Sequence, residues 1–333
     1  MPINMWAASE VYSIGYHIII PIFITIEIIN STFCFIVLLR PKLREVHINQ
    51  YLQFLTILEL LSSFCAIPAT IGSNFLCTSS TYAMAYYQAH FGWKLVDSFR
   101  YLFLYGLIWV SYDRFIATWY PVKFKKDKFN RMVKTRLSVT TLCIGLLSVP
   151  FLCIGYVVEN YENLIFYRFG LGYIEHPLTK KNRLIVYQYL IPILPCVILF
   201  LLSLGLLLSL FKKVTVSENR NLMYSVISVL ILNTIYMIFY LCGVFILPYD
   251  CGTSKTVNEV LIMIVKESFF LMFHFVAMCV LFALNRTYRV ELIQVIESIP
   301  MIRHLSGHNR AVTGRNKPSH IRLEYLKRDS NFV

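Results

Sequence analysis

The 333 residues are 57% hydrophobic and only 15% charged, well below the roughly 25% charge usual in soluble domains. A net charge of +13 would suit a nucleic-acid binder, but the basic residues are divided among loops between long apolar stretches. That pattern excludes nucleic acid as the partner and points to a lipid bilayer.

Seven stretches of membrane length are predicted in chain order. A ten-residue outer N-terminal segment, 1–10, leads into the first, 11–39. Crossing the hydrocarbon core takes roughly 20 apolar residues, and Arg40, Lys42 and Arg44 follow directly. This span is expected to act as its own insertion signal, not as a cleaved one. The others are 48–72, 91–116, 137–158, 187–211, 223–247 and 260–284. Residues 285–300 follow with Tyr288, Val290, Leu292, Ile293 and Ile296 at helical spacing among charges. They predict an amphipathic helix on the inner membrane surface. Residues 301–333 are basic and polar, and are expected to be a disordered tail. The predicted fold class is an all-α membrane protein: a seven-transmembrane helix bundle over 11–284 with a short amphipathic inner surface helix.

Charge sets the orientation. Of the 31 Lys and Arg, 22 fall in 40–47, 123–136, 212–220 and after Leu284. These segments are predicted to be cytoplasmic, which puts the N-terminus outside and the C-terminus inside. A multi-pass plasma-membrane protein is the expected result. No internal repeat is visible, which weighs against a transporter, although lone charges inside spans fit a transporter or channel. No His pair stands at metal-ligand spacing, so neither a metal nor another cofactor is expected. Phosphate-binding glycine loops and catalytic triads are also missing from the sequence, so no enzyme is predicted.

Charged residues inside spans normally face a bundle interior or a wet cavity. Lys94, Asp97 and Arg100 recur every three residues in the third span, and Lys266 and Glu267 sit at similar depth in the seventh. Two readings stay open: a polar floor to a small-molecule ligand pocket, or ion pairs that only hold helices together. In the first, the fork of Arg100 would suit an acidic or carbonyl-bearing ligand. Glu27 and Glu59 lie deep in the first two spans and need polar partners such as Asn30, or neutrality. Arg114 ends the third span as a permanent donor, with Asp113 beside it as a local ion-pair partner.

Asp113-Arg114-Phe115, with Pro121 seven residues after Arg114, resembles the Asp-Arg-Tyr…Pro element of rhodopsin-like G-protein-coupled receptors. Asn30, Asn49 ten residues before Glu59, Tyr189-Leu190-Ile191-Pro192 and Asn285-Arg286-Thr287-Tyr288-Arg289 fall in the matching order. Several usual residues are missing: span six lacks Cys-Trp-x-Pro, and no Asn-Pro-x-x-Tyr precedes Asn285. With His47-Ile48-Asn49 and Ser217-Glu218-Asn219-Arg220, this pattern is most similar to the nematode chemosensory serpentine receptors, Sra-type superfamily, class epsilon. The resemblance implies a chemoreceptor for a small molecule in sensory cilia. A peptide or neurotransmitter receptor of the same fold is the alternative. It further implies a heterotrimeric G protein as partner, a coupling switch of Asp113, Arg114, Phe115 and Pro121, and an internal polar network of Asn30 and Glu59. The usual cysteine of span three is missing, at about Ala89. Cys77 and Cys251 are the two cysteines in predicted outer loops, the oxidising side. Since spans two and seven adjoin in that arrangement, Cys77 and Cys251 either form a disulfide or remain free thiols.

Overall fold

The computed structural model describes residues 3–44, 47–72, 78–120, 129–153, 155–160, 166–171, 191–213, 226–235, 237–238, 256–284 and 286–298. Pro121, Cys77, Cys251, Asn285 and the tail 301–333 lie outside them.

Helix starts earlier than hydropathy alone predicts. Helix α1 (Ile3–Ile14), a π-turn (Gly15–Ile19) and α2 (Ile20–Leu38) follow one another without a break. The segment expected to be an outer terminus is therefore helical from Ile3 onward. Short α3 (Pro41–Arg44) leads to α4 (His47–Ile71), which carries Pro68 inside it. Helix α5 (Tyr82–His90) ends at Phe91, whose φ of −112° and ψ of −74° separate it from α6 (Gly92–Trp119). Further helices are α7 (Phe129–Cys153), α8 (Ile191–Lys213), α9 (Val226–Ile235), α10 (Val257–Leu284) and α11 (Arg286–Ser298).

The purely helical expectation needs one correction. Strands β1 (Thr78–Ser79), β2 (Gly155–Asn160) and β3 (Phe166–Leu171) form an antiparallel sheet in the order β1-β3-β2. Val157 pairs with Phe169 and Glu159 with Tyr167. The fourth span was expected to run to residue 158, yet its helix stops at Cys153. Gly155-Tyr156-Val157-Val158 then pairs as strand, as aromatic and β-branched residues favour. The same helix begins at Phe129, ahead of the expected span, and this shift carries Arg136 out of the expected loop.

Among the described residues, three helical runs are long and apolar enough to cross a membrane: Trp6–Leu38, Ile48–Ile71 and Met132–Val149. Their outward residues are apolar, for example Ile22, Ile29, Phe64, Leu142 and Leu146, as expected of a lipid-facing surface. These helices mark a membrane protein. Helix α6 coincides with the expected third span but carries five charges and several tyrosines, so composition alone does not identify it.

Helix α6 is central: it packs against α4, α7 and α8, while α2 packs on α4 and α10. One core gathers Tyr51, Leu55, Leu104, Leu199, Leu206, Val226 and Phe273. A second joins Tyr12, Tyr16, Ile20, Ala66, Trp93 and Ile264. Small residues allow close approach. At Gly106, an added Cβ would stand 2.5 Å from Leu55 Cδ2, so α4 and α6 pack side chain into backbone. At the far end of α2, buried Cys34 Sγ accepts from the Thr56 and Tyr288 hydroxyls at 3.8 and 3.6 Å. Burial pushes the Tyr288 phenol well above its ordinary value, so it stays a neutral donor.

The chain divides into two compact units, 1–288 and 289–333. The described part of the second is the remainder of α11, in which Glu291 and Val295 are buried and Ile293 and Ile296 exposed.

Candidate functional site

Two clusters of charge lie along α6, one in its N-terminal half and one at its C-terminal end. In the first, Arg100 is 8% exposed. Its Nη2 donates to Glu267 Oε2 at 2.6 Å and its Nη1 to Asp97 Oδ1 at 3.1 Å. The guanidinium also lies 4.7 Å from the Phe270 ring centroid. Lys266 Nζ approaches Glu267 Oε1 at 3.9 Å, and Glu59 lies within electrostatic reach of Arg100. Asp97, Arg100, Lys266 and Glu267, named from sequence as a group, therefore do meet. Arg100, however, already has one carboxylate on each side of its fork. An acidic ligand would have to displace one of them. The Asp97 side chain keeps 37% exposure and is the open carboxylate of the group. Lys94 donates to the Ala89 carbonyl at 2.5 Å, capping the end of α5.

The expected pair of Asn30 and Glu59 fares differently. Buried Glu27 accepts from the Ser31 hydroxyl at 2.8 Å and lies within electrostatic reach of Glu59. Asn30 Nδ2 and Glu27 Oε2 are buried without a hydrogen-bond partner among the described residues. The polar centre of α2 is thus Glu27 with Ser31, one helical turn apart, and the Asn30 amide donates no bond to Glu59.

At the C-terminal end, Asp113 is not paired with its neighbour. Its Oδ1 accepts from Arg136 Nη1, on α7, at 2.6 Å. Consecutive residues on a helix point about 100° apart and do not face each other, so Asp113 and Arg114 diverge. Arg136 also donates to the Tyr51 hydroxyl at 3.3 Å. It lies 5.0 and 5.4 Å from the ring centroids of Trp109 and Tyr112. Trp109 in turn donates to Thr140 Oγ1 at 2.9 Å. One arginine thereby ties α7 to both α4 and α6. Arg114 Nε and Asp113 Oδ2 are buried without hydrogen-bond partners among the described residues. Phe115 packs on Gly205 of α8, where an added Cβ would stand 2.7 Å from Phe115 Cε2. Trp119 Nε1 donates to the Gly205 carbonyl at 3.2 Å.

Sequence reasoning does not reach Arg136 or Tyr51. Arg136 reads as one of several loop cations, and nothing local marks it as the partner of a residue 23 positions earlier. Asn233, fully buried on α9, escapes it as well; it donates to Ser111 Oγ at 2.6 Å and Ser203 Oγ at 3.1 Å.

No protein-family model matches the chain. Over 120 residues it is 32% identical to the RYamide receptor of Drosophila melanogaster, a match covering 36% of this chain and 25% of that receptor. The match supports a membrane receptor of G-protein-coupled-receptor-like class. The chain thus aligns with about a quarter of that receptor's length.

Proposed function

We propose that this chain is a seven-span G-protein-coupled receptor of the plasma membrane, with its N-terminus outside and its C-terminus cytoplasmic. The observation that carries the reading is the Arg114 guanidinium. Arg136 bonds Asp113 Oδ1, and the Arg114 Nε lies buried at the end of α6 without a hydrogen-bond partner among the described residues. A buried donor without an acceptor is costly. A partner helix entering between α6 and α8 would supply carbonyl acceptors and recover that cost. The basic stretch from Lys123 to Lys134 would attract acidic parts of the G protein and anionic lipid. Phe115 holds α8 against α6, and Pro121 ends the switch.

Ligand would enter on the side of Asp97, Lys266 and Glu267, with Arg100 holding the carboxylates in position. The resemblance to nematode chemosensory receptors supports a small-molecule chemoreceptor in sensory cilia. The match to the RYamide receptor supports a peptide ligand no less well. Asn30 and Glu59 would pass the signal along α2 and α4 together with Glu27. A Cys77–Cys251 bridge would staple the outer loops.

The test is a calcium or G-protein response in transfected cells, screened with small organic molecules and with RYamide peptides. Arg114→Ala should abolish the response while surface labelling of an N-terminal tag stays near the parent level. An undiminished response in Arg114→Ala would refute the coupling role.

A further inference from the structure

Asn233 sits on α9 with no exposure, and its amide reaches two other helices. Nδ2 donates to Ser111 Oγ of α6 at 2.6 Å and to Ser203 Oγ of α8 at 3.1 Å. Ser111 is itself fully buried and donates to the Leu107 carbonyl one turn back at 2.8 Å. The Asn233 Oδ1 is buried and has no hydrogen-bond partner among the described residues. Ser111 lies one helical turn before Arg114, and Ser203 lies two residues before Gly205. Helices α6 and α8 are already joined at that level by the Phe115 and Trp119 contacts to Gly205.

We propose that Asn233 is a positioning residue, a polar clasp that holds α9 closed against the joined pair α6 and α8. The inference rests on the receptor reading for its meaning, but not for its geometry. The clasp is half satisfied by construction. Both amide hydrogens are used, while the carbonyl oxygen is buried and unbonded among the described residues, a state that costs free energy in a low-dielectric interior. Moving α9 away breaks two hydrogen bonds, but it also lets water reach Oδ1 and both hydroxyls. The losses and gains nearly cancel, which is what a two-state element requires. An apolar residue here would remove the unmet acceptor and the clasp together. A fully satisfied network would lock α9 shut. The same movement would uncover the buried donor of Arg114 one turn further along α6.

Two variants test the clasp without disturbing packing volume much: Asn233→Leu, and the double variant Ser111→Ala with Ser203→Ala. The second leaves Asn233 in place and removes only its acceptors. Spin labels are introduced as unnatural amino acids at exposed Tyr120, just past the end of α6, and at half-buried Ile227, at the start of α9. They report the α6–α9 separation in purified receptor without any G protein. Both variants should shift the distance distribution toward longer values, with the open-to-closed ratio raised roughly tenfold. Ligand-independent signalling in cells should rise with it. A distribution unchanged from the parent in the double-alanine variant overturns the clasp, whatever the signalling result. A shifted distribution with no signalling from any G protein keeps the clasp and removes the receptor reading instead.

Discussion

The two charge clusters on α6 are built from the same residue types but are balanced in opposite ways. Around Arg100 there is more acid than the arginine needs: Asp97 and Glu267 both bond it, Phe270 covers its face, and Glu59 lies within reach. Around Asp113 the excess is basic. Arg136 takes Asp113 Oδ1, while Asp113 Oδ2 and Arg114 Nε are both buried without hydrogen-bond partners among the described residues. A saturated cluster holds helices together and resists change. A cluster with unspent groups has bonding capacity left over. The difference teaches that a charge inside an apolar helix is informative only once its partners are counted.

Breaking the saturated cluster should have the largest effect. Glu267→Leu removes the carboxylate that buried Arg100 bonds at 2.6 Å, and removal of one partner from a buried pair costs about 3–4 kcal/mol. A matching fall in the thermal stability of the purified protein is expected. Stability equal to the parent would mean that Arg100 reaches water and that the cluster is not closed.

Next in size is Arg136→Ala. It removes a charged hydrogen bond to Asp113 and the bond to Tyr51, for a loss of about 2 kcal/mol. Its sharper consequence is on helix packing: α7 loses its tie to both α4 and α6. Ligand-stimulated signalling should therefore fall, and Arg136→Lys should restore part of it. A rise in signalling on Arg136→Ala would show that the Asp113–Arg136 pair restrains the resting state.

Asp97→Asn should be the mildest for folding, below about 1 kcal/mol, because the side chain is partly solvated and such pairs contribute little. If Asp97 faces the ligand, potency should drop at least tenfold while stability hardly moves. A loss of stability with potency unchanged would reassign Asp97 to the scaffold.

Much of the helical framework was legible in the sequence. Apolar length located α4, α8 and α10 to within a few residues, and three-residue spacing put Asp97 beside Arg100, which it bonds. The charge at 266–267 could be matched to them by depth alone. What sequence could not supply was direction around the helix axis. Asp113 and Arg114 are adjacent in the chain yet serve different neighbours, and the Asn30 amide makes no bond to Glu59 although the two lie on neighbouring helices. Arg136 was hidden for another reason: it stands in a run of basic residues, and only the early start of α7 separates it from them. The strand at Gly155–Asn160 was hidden by hydropathy, which scores an apolar strand and the last turn of a span alike.

The π-turn at Gly15–Ile19 has a consequence for how this chain tolerates change in length. Buried positions on the first helix recur at Ala8, Tyr12, Tyr16, Ile20 and Ile24, always four residues apart. On a regular α-helix each such step drifts by roughly 40°, so Ile24 would point well away from the face that Ala8 occupies. The wider turn absorbs that drift and keeps both halves facing the same neighbours, with Gly15 close enough to Ile264 that an added methyl would collide with it. The turn therefore works as a phase corrector. Removing one residue from 15–19 would leave an unbroken α-helix with both halves still in phase, whereas straightening the turn at unchanged length would rotate everything before it by about a quarter turn. Tyr12 and Ala8 would face lipid, and Ser13 and Ser9 would swing toward Trp93 and Val260.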